Sequence, residues 1–149
     1  MDAIDAAILR LVQNDATLSL DDIASAVGAS KTPVWNRLKR LKEDGIIRRE
    51  VAIVDPDKIG LEACFFVLVK TSEHDGGWQA RFLSALKKRT EVIEAHRLAG
   101  EIDYLLKVQV ANPRAYDRFY QSLISEVKVF NVTALLSMEE LKYTTALPL

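Results

Sequence analysis

Residues 19–49 read SLDDIASAVGASKTPVWNRLKRLKEDGIIRR, and the placement of capping, apolar and basic residues in this stretch decides how the chain folds. Ser19 with Asp22 three positions on is a capping pair that opens a short helix, and Ile23, Ala24 and Val27 then share one face. Gly28 stops that helix. After the turn, Ser30 is suited to cap a second helix, and Pro33 is tolerated in its first turn because the earliest amides have no helical acceptor. Val34, Leu38 and Leu41 form an inward stripe. On the opposite side the 100° step places Thr32, Asn36, Lys39 and Arg40, with Lys31, Trp35 and Lys42 on one shoulder and Arg37 on the other. The pattern is a helix-turn-helix.

Charge supports this reading. Up to residue 30 the only basic side chain is Arg10, set against Asp2, Asp5, Asp15, Asp21 and Asp22, whereas Lys31, Arg37, Lys39, Arg40, Lys42, Arg48 and Arg49 crowd the next turns. A local reversal of sign of this kind suits a phosphate-facing surface. The formal net charge of the whole chain is only −1, so the expectation of nucleic-acid binding rests on placement and not on totals. Ser30, Lys31, Thr32, Pro33, Asn36, Arg37, Lys39, Arg40, Arg48 and Arg49 are the candidate DNA contacts. Arg37 has an alternative use as an ion pair between helices, and Trp35 can either pack inward or face a groove.

Working outward, Ile4, Ile8, Leu11 and Val12 recur at helical spacing between Asp2 and Gln13, which gives a scaffold helix with an acidic start. Past Gly45, the β-branched run IIRREVAIV (46–54) predicts a strand or short hairpin, a wing beside the helix. The aperiodic DPDKIGLE (55–62), with Pro56 and Gly60, reads as a linker. This sets the domains at 1–54 and 63–149.

The second domain has a different rhythm. Strands are expected over 63–71, 92–98, 104–110 and 129–138, and helices over 78–89 and 113–127. The order β-α-β-β-α-β is the split, ferredoxin-like arrangement, so the chain is of the α+β class. ACFFVLV (63–69) is apolar on both alternating faces. One face lies under the helices, and the other needs a cover that the chain itself does not supply, which predicts a homodimer through the sheet.

With IDAAIL, LDDIASAVGASKTPVWNRLKRLKEDGII, GEIDYLLKVQV and SMEELKYTTALPL in this order, the chain resembles the Lrp/AsnC family of transcriptional regulators along its whole length. TLSL, TPVWNRLKRLKEDGI and AGEIDYLLKVQVA, with His74 and Trp78 between them, are most similar to its cysteine-responsive, DecR-like branch. The resemblance implies a DNA-binding regulator that assembles as dimers or octamers and responds to a free amino acid held between neighbouring effector domains. It carries the DNA-reading helix onto residues 31–44 and the family's arginine onto Arg37. The effector loop falls on Gly100, Glu101, Ile102, Asp103 and Tyr104. From first principles, Gly100 permits close backbone approach, free amides can bind an α-carboxylate, and Asp103 or Glu101 can pair with an ammonium. Hydroxyl positions of the family's last strand fall on or near Val132 and Ala134, leaving Thr133 as the polar residue there. A capped turn between strands is the competing role for Glu101 and Asp103.

Other functions find little support. No GxGxxG, phosphate loop, GxSxG or HExxH occurs and the acidic residues are scattered, so no enzyme is expected. No cofactor is implied. His74 and His96 with the lone Cys64 lack metal-ligand spacing, and Cys64 reads as a small core residue. The polar stretch 73–78 reads as a loop capped before a helix. No apolar run approaches the roughly 20 residues of a membrane span, and MDAIDAAILR begins acidic, unlike a signal peptide. A cytoplasmic protein is expected. Two alternatives stay open: an amino-acid sensor without promoter control, and a ligand-independent architectural DNA-binding protein.

Overall fold

A computed structural model describes residues 1–72 and 75–149. The chain divides into two compact units, one of residues 1–53 with 141–149 and one of residues 54–140.

The first unit is built on three helices: α1 (Ala3–Val12), α2 (Leu20–Val27) and α3 (Lys31–Glu43). Asp2 caps α1 by accepting from the amides of Ile4 and Asp5, while Asp5 Oδ2 accepts from Asp2 N at 3.0 Å. This reciprocal box satisfies donors that a helix start leaves unpaired. Ser19 caps α2 through Asp22 N as expected, and Gly28 takes φ +66°, which lets Ala29 N reach Ala24 O. Only glycine adopts that conformation without strain. Ser30 occupies the N-cap position of α3, but its side chain makes no capping bond. Ile8, Leu9, Ile23, Ala24, Val34 and Leu41 form the core, with Leu38 packed at its edge.

One expectation is corrected in this unit. Residues 46–54 form no strand; Ile46, Val51, Ile53 and Val54 are exposed. High β propensity makes a strand only beside a partner that completes its ladder, and none of the described residues pairs with this segment. The tail 141–149 packs with the helices. There Arg10 Nε donates to Leu149 O and Gln13 brackets Leu147 by accepting from its amide and donating to its carbonyl, each at 2.9 Å.

The second unit comprises β1 (Ala63–Lys70), α4 (Gly76–Lys87), β2 (Val92–Arg97), β3 (Tyr104–Val110), α5 (Pro113–Glu126) and β4 (Asn131–Leu136). The sheet order is β2-β3-β1-β4 with every pairing antiparallel. This is the ferredoxin-like order. A short 3-10 turn, Asp57–Ile59, interrupts the stretch read as linker. The helix α4 starts two residues ahead of expectation because Asp75 accepts from Trp78 N at 2.6 Å. Of the polar stretch 73–78, Glu73 and His74 lie outside the described residues.

Strand alternation divides the sheet into two faces. Phe65, Val67 and Val69 join Tyr104, Leu106 and Val108 beneath Trp78, Phe82, Phe119 and Leu123. Trp78 and Phe82 stack at 4.9 Å, and the indole Nε1 of Trp78 donates to Lys128 O at 2.7 Å. On the other face Phe66 and Leu135 pair in register and are both exposed, while Leu68 sits between Leu105 and Thr133. Cys64 is on this face and only half-buried, with burial pushing its thiol pKa up.

Candidate nucleic-acid interface and ligand loop

Helix α3 presents one face to solvent, and an acidic residue behind it holds that face in place. Asp5 is 1% exposed. Its Oδ1 lies 2.7 Å from Arg37 Nη1 and its Oδ2 lies 2.7 Å from Arg40 Nη2. Arg37 also reaches Asp2 at 2.7 Å. A buried carboxylate is tolerated only when paired and hydrogen-bonded, and here two guanidinium groups and an amide meet it. Burial opposes ionisation of Asp5, yet the Asp2 amide and the two arginines outweigh it and hold its pKa below the usual range. Asp2 is lowered to about 2, first by the Asp5 amide and then by Arg37.

The candidate DNA residues therefore divide. Ser30, Lys31, Thr32, Pro33, Asn36 and Lys39 are exposed on or just ahead of the outer face of α3. Lys31 pairs with Asp21 at 2.8 Å, with both side chains more than half exposed, an interaction that a phosphate can replace at little cost. Lys39 lies 3.7 Å from Glu43 and 5.5 Å from the Trp35 ring centroid. Trp35 is 49% exposed, so its ring faces outward beside Lys39. Arg37 is turned inward with its side chain 25% exposed, whereas Arg40 is tethered but half exposed. Arg48 and Arg49 are exposed and have no ion-pair partner among the described residues.

In the second unit Gly100, Glu101, Ile102 and Asp103 occupy the loop between β2 and β3. Gly100 adopts φ +143°, although a Cβ there would meet nothing within 4 Å; backbone conformation, not space, favours glycine. Asp103 ties the loop to β1 in two ways, its amide donating to Val69 O at 3.1 Å and its Oδ2 accepting from Thr71 N at 2.8 Å. Glu101 is exposed and 2.9 Å from Lys70 Nζ, which holds its carboxyl below the ordinary range. Among the described residues no backbone acceptor meets the amides of Gly100, Glu101 and Ile102.

The side chains of the remaining two effector candidates, Tyr104 and Thr133, are not brought to the loop. Tyr104 is buried on the helix-covered face, its ring 4.9 Å from Phe82, so its side chain is a core element. Thr133 is exposed on the opposite face, in register with Leu68. Sequence reasoning missed Asp5 as the anchor of α3 and Lys70 as the partner of Glu101. A carboxylate on the apolar face of α1, one turn before Ile8 and Leu9, was the available signal for Asp5. Lys70 carried none, because only strand register brings it beside the loop.

An outward basic helix held by a scaffold, with a ferredoxin-like sheet unit bearing an amide-rich loop, defines a DNA-binding regulator with a ligand-binding domain. The winged helix-turn-helix DNA-binding family matches residues 1–48 and the Lrp/AsnC ligand binding domain matches residues 64–147. The DNA-binding transcriptional activator DecR of Escherichia coli K12 is 47% identical, covering 100% of this chain and 99% of its own. A crystal structure of an AsnC family transcriptional regulator from Agrobacterium tumefaciens superposes with a TM-score of 0.95 at 42% identity, over 99% of this chain and 97% of that one. A transcriptional regulator of Neisseria meningitidis, solved in complex with L-Met, gives 0.95 at 29% identity, over 99% and 96%. The chain belongs to the Lrp/AsnC family of transcriptional regulators.

Proposed function

We propose that this regulator reads DNA with the exposed face of α3 and changes its assembly or DNA affinity when a small amino acid occupies the loop at residues 100–104. The observation that carries the reading is the division of basic residues: Arg37 and Arg40 hold α3 against Asp5, while Lys31, Thr32, Pro33 and Asn36 stand outward with Lys39. Lys31, Thr32, Pro33 and Asn36 serve base edges, with Ser30 at the helix entry. Lys39, Arg48, Arg49 and the free side of Arg40 serve phosphates. Two copies place their recognition helices in successive major grooves, about 34 Å apart.

At the loop, the amides of 100–102 receive the ligand α-carboxylate, and Glu101 is better placed than Asp103 for the ammonium because Thr71 N already occupies Asp103. Cysteine is the leading ligand by branch resemblance, and the L-Met complex of the Neisseria relative supports an amino acid of this kind. The outer sheet face, with Phe66 and Leu135 exposed, serves a homodimer or a larger assembly. Among the described residues no helix is long and apolar enough to cross a membrane; a role on DNA places the protein in the cytoplasm.

The test is a mobility-shift titration on the DNA upstream of its own gene, at fixed salt with excess competitor, repeated with each of the twenty amino acids. A specific shift altered by one amino acid is expected. A shift that no amino acid alters refutes the ligand half of the reading, and the absence of any specific shift refutes the DNA half.

A further inference from the structure

The sheet unit contains a concave site remote along β3 from the loop at 100–104. Strand β3 begins beside that loop at Tyr104 and ends at Val110, and a cleft of about 320 Å³ lies at the Val110 end. Arg89, Glu91, Gln109, Ala115, Arg118 and Ser122 contribute to its wall. Ala115, Arg118 and Ser122 recur at helical spacing, so one face of α5 supplies half of them.

Arg89 is the unusual member. Only 8% of it is exposed, and its guanidinium is held by Ala85 O at 2.6 Å, Ser122 O at 2.7 Å and Ser122 Oγ at 2.8 Å. Those partners are neutral. Among the described residues the carboxylate paired with it is Glu126, 3.4 Å away and 40% exposed. Among the described residues its buried Nε finds no acceptor, an arrangement that costs stability unless something uses it.

The surroundings add positive potential. Arg118 is exposed and has no ion-pair partner among the described residues. The first turn of α5 reaches this wall through Ala115, whose amide Asn112 already caps, so the helix start contributes its dipole and not a free donor. Glu91 is the single acidic residue of the lining and is likewise unpaired among the described residues. Two guanidinium groups and a helix start, set against Glu91 in the lining and Glu126 at the rim beside Arg89, match a molecule with a carboxylate and, beside it, an ammonium.

From this geometry we propose that the cleft formed by Arg89, Glu91, Gln109 and Arg118 is a second small-molecule site, which takes a carboxylate-bearing metabolite of the amino-acid class. The carboxylate lies against Arg118 and the start of α5, in the field of Arg89. The ammonium faces Glu91. This assignment does not rest on the loop at 100–104, and the two sites are separable by experiment.

The experiment is a titration of the full-length, 15N-labelled protein with L-glutamate, succinate and inorganic phosphate, each in turn, followed by the Arg89 Nε–H resonance and the amides of Ala111, Ala115 and Arg118. Saturable shifts with glutamate or succinate at these positions are expected, and the surface variant Arg118→Glu should weaken them by about tenfold or more. Three outcomes overturn the proposal: no saturable shift with either carboxylate, saturation confined to the amides of residues 100–104, or saturable shifts with phosphate alone.

Discussion

Arg37 and Asp5 lie 32 positions apart in the chain and meet at 2.7 Å, with the carboxylate fully inside the helical unit. This contact gives the arginine that resembles the family's DNA-reading position a job in orienting α3. Because an unpaired buried group costs more than the pair contributes, Asp5→Ala should destabilise the unit by about 1–3 kcal/mol. Urea unfolding followed by circular dichroism measures it, and a change below about 0.5 kcal/mol would mean the pair is incidental.

Arg37 and Lys39 should therefore behave differently on DNA. A phosphate-contacting lysine releases about one counterion, so Lys39→Ala should weaken binding to all sequences alike and lower the salt slope by roughly one unit. Arg37→Ala should lower stability and leave the slope unchanged. Binding titrations across a salt series decide the matter; a slope unmoved in Lys39→Ala shows that residue to be wrongly placed.

The acidic cluster also sets an acid limit. Asp2 has its pKa lowered to about 2 in the folded chain, below an unfolded value of about 3.9. Its contribution is then fully present above about pH 4 and is lost as pH falls toward about 2. Unfolding free energy of the Asp2→Asn variant should fall below that of the parent at pH 6, and the two should converge at the acid end. Parallel curves across that range would show that the carboxylate contributes nothing.

At the loop, two acidic residues separate into structure and ligand chemistry. Asp103 accepts from Thr71 N and anchors the loop to β1, so Asp103→Ala should lower the melting temperature of the protein as well as its ligand response. Glu101 is exposed and, among the described residues, its ion-pair partner is Lys70, so Glu101→Gln should leave the melting temperature unchanged while weakening the amino-acid response in the mobility shift. Equal melting losses in both variants would contradict this separation.

The capping residues Ser19 and Gly28, the inward stripe of α3 and the β-α-β-β-α-β order were all legible in the sequence, because each depends on neighbours within a few positions. What escaped were long-range pairings. The Asp5 anchor needs α1 packed against α3, and the Lys70–Glu101 pair needs two strands in register. The strand expected over 46–54 failed for the same reason, since a ladder needs a partner that propensity does not provide. Tyr104 stands both in the loop match and at the head of the strand expected over 104–110, and strand alternation, once the register is known, turns its side chain into the core.

The exposed sheet face gives the last prediction. Phe66 is paired across β1 and β4 with Leu135, and the two are 37% and 50% exposed. Leu68 and Leu105 continue the apolar surface next to them. A face of this kind is stable in water when a second copy covers it. Placing a charge at its centre puts an unpaired ion into that contact while leaving the helix-covered core untouched. Phe66→Glu should therefore convert the assembly to a smaller species in light scattering coupled to size exclusion, with far-UV circular dichroism unchanged. It should also weaken operator binding, since two recognition helices then no longer act together. An assembly of unaltered mass in Phe66→Glu would show that the copies meet elsewhere.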